Sequence, residues 1–320
     1  MKHAYLIMAH DQFNALKELV NVLDDPRNDI YIHFDKKVKD VPESALLSRK
    51  KGNGKLVVLG PKSRVNVIWG DVSQIKAEYA LLKCAYEFGE KWGKYDYYHI
   101  ISGTHFPLKS NDDLNAWFEE RNGSSILRHV ELTEEEIQMR FGLYHYFLKH
   151  LVDKRRFINK MYHLGWRLVL GVQKKLGIKR DTTFIKGKAS QWCSLTDDAV
   201  KLLLTKEKEA LRHFRRSFCC DEFFVLSVLE GSGLPYIFDD RICYVEFVNT
   251  TPKVFKEEDC GYLMDSGALF FRKMYDSNIG LAKKDRRKNS TISNETEDIC
   301  SQLGKICGQE TVHAGTPQKM

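Results

Sequence analysis

Apolar residues over the first hundred positions follow two rhythms. "HAYLIMAH" (3–10) and "DIYIHFD" (29–35) are nearly continuous apolar runs, as in strands covered on both faces. "DQFNALKELVNVL" instead places Phe13, Leu16, Leu19, Val20 and Leu23 on one helical face, with Asp11 positioned to cap its start. "KLVVLG" and "VNVIWG" predict further strands. "DVSQIKAEYALLKCAYEFG" predicts a long helix with Ile75, Tyr79, Leu82 and Tyr86 in one stripe, and its Asp71-x-x-Gln74 start resembles a capping box. "YDYYHIISG" reads as a strand, "NDDLNAWFEER" as a short helix and "SSILRHVEL" as another strand. Such alternation predicts an α/β fold with a mostly parallel central sheet flanked by helices. Ligands of such sheets bind beyond the carboxyl ends of the strands. Three strands end there in polar residues: His10-Asp11, His33-Phe34-Asp35 and Ser102-Gly103-Thr104-His105.

The middle of the chain changes character. Residues 133–180 read as a helical, basic insertion, in which Phe157, Met161, Leu164, Leu168 and Val172 recur at helical spacing among lysines and arginines. Two readings stand: a solvated helix packed on the domain, or a surface that touches anionic lipid. "QWCSLTDDAVKLLL" then predicts a strand and helix, and "PYIFDDRICYVEF" and "ALFFRKM" supply further strands. Residues 1–280 are read as one domain. In 281–320 apolar residues thin out, and a disordered tail is expected.

Composition narrows this little. With 43% hydrophobic and 29% charged residues the chain can bury an ample core. A net charge of +7 suits an acidic small substrate, a nucleic acid or an anionic membrane surface without choosing among them. No window is apolar enough to span a bilayer, and the start lacks a cleavable leader pattern. The 8 cysteines include no Cys-x-x-Cys pair, so they are read as reduced thiols in a cytoplasmic protein and not as a zinc site. No Gly-x-Gly-x-x-Gly, Gly-x-Ser-x-Gly or His-Glu-x-x-His occurs, which removes the usual dinucleotide, serine-hydrolase and zincin readings. "KGNGK" (51–55) precedes a strand instead of opening a helix, so it is no phosphate loop.

"SFCCDEFFVLSVL" (217–229) places Asp221 and Glu222 on the first turn of an otherwise apolar helix. They are either caps or groups that handle a proton. Six stretches then bear on the choice: "YIHFDKK", "VIWGDVSQIKAEYALL", "YDYYHIISGTHFPLKS", "GKASQWCSLTDDAV", "CCDEFFVLSVL" and "ALFFRKM". In that order they resemble the core-2/I-branching N-acetylglucosaminyltransferase family, which includes peptide xylosyltransferases, over about residues 3–275. Lacking an anchor, the chain is similar to the family's soluble bacterial members.

The resemblance implies a glycosyltransferase A-type fold, a UDP-sugar donor and inversion at the anomeric carbon. Most enzymes of that fold hold a metal with Asp-x-Asp. This family does not, and no Asp-x-Asp occurs here, so no metal or other cofactor is expected and cations must offset the leaving diphosphate. The family's motifs suggest Lys273, with Arg272 beside it, for that task. Arg241 is a second candidate, although a shift of two puts Cys243 at its position. Glu222 matches the catalytic base, leaving Asp221 as the helix cap. His10 and Asp35 match positions for uracil and ribose, with Trp69 to Ser73 as a wall. Ser102, Gly103, His105 and Pro107 would shape the donor loop. Ser190, Gln191 and Trp192 would flank the sugar ring, Trp192 offering its face. Arg140 and Tyr144 resemble the acceptor-binding stretch. N-acetylglucosamine is the family's commonest donor sugar and xylose the alternative. The acceptor is expected to be a glycan, lipid-linked in one reading, with the enzyme peripheral at the inner face of the cell membrane. A competing reading makes the chain a non-catalytic basic module, binding anionic lipid or nucleic acid through residues 153–180. That predicts interleaved aromatic and basic groups, which only Phe157, Tyr162 and Trp166 loosely provide, so no nucleic-acid partner is expected.

Overall fold

A computed structural model describes residues 1–48, 52, 54–151, 155–249 and 251–282. The first half alternates as its apolar rhythm requires: β1 (His3–Ala9), α1 (Phe13–Val22), β2 (Asn28–Phe34), α2 (Glu43–Leu47), β3 (Leu56–Val58), α3 (Ser73–Trp92) and β4 (Tyr97–Ser102). Then come β5 (His105–Pro107), α4 (Asn111–Glu119), β6 (Ser125–Leu127), α5 (Glu134–Arg140), α6 (Arg156–Lys175), β7 (Cys193–Leu195), α7 (Asp197–Thr205) and α8 (Glu207–Phe214). The last part holds α9 (Phe224–Leu229), β8 (Tyr236–Phe238), β9 (Tyr244–Val245), β10 (Phe247–Val248), β11 (Thr251–Pro252), α10 (Cys260–Asp265) and β12 (Phe270–Arg272).

Among the described residues the main sheet has seven strands in the order β3-β2-β1-β4-β7-β6-β8. All neighbours are parallel except that β7 runs against both β4 and β6. Successive side chains of β1 point to opposite faces. Ala4 and Leu6 enter a core with α3, α7 and α9. Tyr5 and Ile7 enter a second core with α1 and α4. β12 is central in a smaller sheet, antiparallel to β5 and parallel to β9, over a third core. This mostly parallel sheet flanked by helices, with a basic helical insertion between β6 and β7, agrees with the α/β architecture expected from the sequence.

Several local expectations are corrected. "VNVIWG" is a loop: the Val65 amide donates to His33 Nε2 (2.8 Å) and its carbonyl accepts from the Lys36 amide, so these groups join no ladder. Asp11 does not cap α1, whose N-cap is Gln12 in a left-handed conformation without a side-chain bond to the helix. The Asp71/Gln74 pair forms no capping box; Asp71 Oδ2 accepts from the Ser73 amide and Gln74 Oε1 from the Gly70 amide. The insertion is helical in α5 and α6 but not continuously. Leu281 and Ala282 are buried in the third core, so ordered structure runs past 280. The rest of the proposed tail, 283–320, lies outside the described residues, as does Lys51 of "KGNGK".

Candidate functional site

The sheet brings its functional side chains to one edge. β1 ends at His10-Asp11, β2 at Asp35 and β4 at Ser102-Gly103. Because β7 is reversed, its entrance carries Gln191 and Trp192 to the same edge. His10 and Asp35 share a cleft of about 400 Å³ with Phe13, Lys37, Val38, Lys39 and Asp40. Asp35 is buried; its Oδ1 accepts from the Lys37 amide (2.9 Å) and its Oδ2 lies 3.1 Å from Lys37 Nζ. Arg64 ties down the loop beneath by donating to the carbonyls of Phe34 (3.0 Å), Asp35 (2.7 Å) and Val38. The sequence reading missed Lys37, Lys39 and Arg64, although Lys37 closes the first matching stretch and Lys39 follows it by two residues.

β12 delivers the cations. Pairing with β5 sets Arg272 opposite His105. The Arg272 guanidinium lies over the Trp192 ring, 4.8 Å from its centroid, and its buried Nε has no hydrogen-bond partner among the described residues. Burial pushes the pKa of both Arg272 and Lys273 down. Arg272 feels the charge of Asp221, and Lys273 that of Asp11, so this strand end lies between the β1 edge and the 220–222 turn. Neither cation has an ion-pair partner among the described residues. His105 is held by burial far below its usual pKa; the Ser102 amide donates to its Nδ1, and its Nε2 is without a partner among the described residues. Gly103 is packed so closely that a Cβ there would lie 3.2 Å from that of Ala9.

The paired carboxylates sit on a short 3-10 turn, Cys220–Glu222, ahead of α9. Asp221 is no cap: the N-cap of α9 is Phe223, without a side-chain bond. Asp221 Oδ2 instead accepts from Gln74 Nε2 (2.8 Å), and burial followed by the nearby Glu222 charge pushes its pKa up to about 7. Glu222 Oε2 accepts from Arg140 Nη1 at 2.9 Å and lies 3.8 Å from Lys188 Nζ. Glu136 completes this network, 2.7 Å from Arg140 and 2.9 Å from Lys188. Oε1 of Glu222 has no hydrogen-bond partner among the described residues.

Several site expectations change. Arg241 donates to Asp239 through both Nε (3.0 Å) and Nη2 (2.7 Å) and lies over Trp117, so it does not join Lys273. Cys243, the alternative at that position, lies near enough to Arg272 to feel its charge. Gln191 is buried and donates to Glu78 Oε1 (2.6 Å), whose carboxyl burial holds well above its ordinary pKa. Trp192 is largely buried, with Arg272 over one face and the His105 ring edge-on. Arg140 holds Glu222, and Tyr144 lies under Arg180. Trp69 is half exposed and packs edge-on against Phe218 at 5.6 Å. Lys188 and Glu136 went unassigned; Lys188 stands three residues before Gln191 in a matching stretch. Among the described residues no group of three or more His, Cys, Asp or Glu side chains is placed to hold a metal ion.

Residues 3–235 match the sequence profile of the family described as Core-2/I-Branching enzyme. No curated protein matches. Among solved structures, S. aureus TarS shares 15% identity at a TM-score of 0.29, over 45% of this chain and only 25% of TarS. A shorter form, TarS 1–349 in complex with UDP, shares 13% at 0.36 over 75% of this chain and 61% of its own. Mouse xyloside xylosyltransferase 1 shares 9% at 0.40, over 84% and 96% respectively.

Proposed function

Because the chain belongs to the core-2/I-branching enzyme family, a family of glycosyltransferases, we propose that it moves a sugar from a UDP-sugar to a hydroxyl of a glycan, with inversion and without a metal ion. The unpaired cations at the end of β12 carry this reading. A partly buried arginine whose Nε is fully enclosed and a half-buried lysine, both without anionic partners among the described residues, are costly unless a polyanion completes them. A diphosphate has the charge, and its position between the β1–β2 cleft and Glu222 suits a donor whose nucleoside lies at His10 and Asp35. In the reaction the acceptor oxygen attacks the anomeric carbon while its proton passes to Glu222 Oε1. The bond from that carbon to the diphosphate oxygen breaks, and UDP leaves with the electron pair. A single in-line displacement inverts the centre. Arg140 orients the base through Oε2, leaving Oε1 for the acceptor. We take N-acetylglucosamine as the donor sugar, by family resemblance, with xylose as the alternative.

Replacing Glu222 with Gln tests the assignment. Transfer should fall by roughly 10²-fold or more, the usual scale for losing a general base, while UDP binding stays within about 2-fold, since no role in donor binding is given to this side chain. Transfer that survives Glu222→Gln would remove Glu222 from the mechanism.

A further inference from the structure

Helix α6 turns its apolar side outward. It holds the protein through polar and aromatic groups: Asn159 Nδ2 donates to the Leu151 carbonyl (2.6 Å) and Trp166 Nε1 to His145 Nδ1 (3.1 Å). Gln173 accepts from the Tyr144 amide and donates to its carbonyl, both at 2.8 Å. On the opposite side Phe157, Met161, Leu164, Leu168 and Val172 each keep more than half of their surface in water. Their spacing of three and four residues makes one continuous stripe along the helix. Such an apolar face seeks to leave water.

The rim of this stripe identifies what covers it. Lys160, Arg167 and Lys174 recur every seven residues along one flank, Lys175 ends the helix and Lys179 follows it by four residues. All five are exposed, and none pairs with a carboxylate among the described residues. Residues 154–180 contain no Asp or Glu at all. We propose that α6 is a docking surface for an anionic lipid bilayer, lying in the plane of the interface with its stripe among the upper acyl chains and its lysines and arginines on the headgroups. Among the described residues no helix is long and apolar enough to cross a membrane, so the helix rests on the bilayer and does not span it. A second copy of the chain fits poorly, because pairing two such faces would bring together two cationic rims with no carboxylate between them. The surface is also linked to the candidate site: Trp166 packs at 5.7 Å on Phe218, which stands three residues before Asp221 and packs at 5.6 Å on Trp69.

Co-sedimentation of the full chain with vesicles tests this without reference to catalysis. Wild type should pellet with vesicles of mixed phosphatidylcholine and phosphatidylglycerol and bind pure phosphatidylcholine roughly 10-fold more weakly, a preference that fades at about 0.5 M salt. Leu164→Asp combined with Leu168→Asp should weaken binding to the mixed vesicles about 10-fold or more. Lys160→Glu with Arg167→Glu and Lys174→Glu should erase the preference for anionic lipid. All these side chains are exposed, so circular dichroism and UDP affinity should stay at wild-type values in both variants, and a shift in either would trace lost binding to misfolding; the single change Leu168→Ser, with a smaller loss, then decides. No binding to anionic vesicles overturns the proposal. So does a concentration-dependent dimer in sedimentation velocity that Leu164→Asp/Leu168→Asp dissolves while vesicle binding is absent.

Discussion

Arg241 and Lys273 carry the same charge but stand in different states. Arg241 is spent on Asp239, whereas Lys273 is half buried without an ion-pair partner among the described residues. Lys273→Ala should therefore weaken UDP binding about 10-fold or more, and uridine binding much less, because only the former carries the diphosphate. Arg241→Ala should change UDP affinity by less than about 2-fold, since a surface ion pair is worth little. Calorimetry with both ligands separates these cases; equal losses of UDP and uridine for Lys273→Ala would point to misfolding. Asp221 makes a prediction about pH. Its folded pKa of about 7 lies above the ordinary aspartate value, so the folded chain holds this proton more tightly than the unfolded chain. That stabilisation is complete below about pH 4 and is lost as the pH rises through about 7. Asp221→Asn has no proton to lose, and its amide oxygen can still accept from Gln74. Its stability relative to wild type should rise between about pH 5 and pH 8, by on the order of 1–4 kcal/mol. A difference that does not vary with pH in thermal melts would show that Asp221 is ionised throughout.

The 217–222 turn is held by a second loop, which is the element-scale condition for placing Glu222. The Cys219 amide donates to the Gly70 carbonyl (2.8 Å), the Gly70 amide to Gln74 Oε1 (2.5 Å), and Gln74 Nε2 to Asp221. Gly70 has φ +74°, and a Cβ there would sit 2.9 Å from the Phe218 ring and 3.3 Å from Cys219 Sγ. Gly123 has φ +89° with open space around it, so the two glycines separate backbone strain from crowding. Gly123→Ala should cost about 1 kcal/mol of stability and spare transfer, while Gly70→Ala should cost roughly 2–4 kcal/mol and reduce transfer as well. Urea unfolding and a transfer assay on both variants read this out, and equal effects would remove the crowding argument. This turn also marks the limit of what could be read from sequence. The strands β1, β2 and β4 were legible because each is a continuous apolar run covered on both faces. The 65–70 loop has the same apolar content but pairs with the His33 ring, a choice that periodicity does not record. Likewise Glu222 was legible as one of two adjacent carboxylates, whereas its bond to Arg140 joins residues far apart in the chain, and only the assembled fold brings them together.

The whole molecule assembles its candidate site from distant parts of the chain: His10 and Asp35 near the start, Glu222 beyond the middle, and Arg272 and Lys273 near the end of the described residues. A ligand spanning these parts binds only the folded chain and must stabilise it as a unit. UDP at about 100 times its dissociation constant should add about 2.7 kcal/mol and raise the midpoint of a single thermal transition. Because the cations are supplied by β12, the shift should be the same in EDTA as in manganese. A shift seen only with manganese would overturn the metal-free reading.

The reversed strand β7 has one more consequence. β6 leaves the sheet at Leu127 and β7 enters it beside that point at Cys193, and the antiparallel bridge between His129 and Ala189 extends the pair. Residues 130–188 therefore form a cassette whose two ends lie side by side. Lengthening such an excursion adds closure entropy only as the logarithm of its length. One insertion or exchange at these two neighbouring junctions would replace α5 and α6 together, and with them Arg140, Lys188 and the outward apolar face, while β1, β2 and β12 keep their register. The topology thus lets the excursion between β6 and β7 change as a unit while the strands that end at His10, Asp35 and Arg272 stay in place.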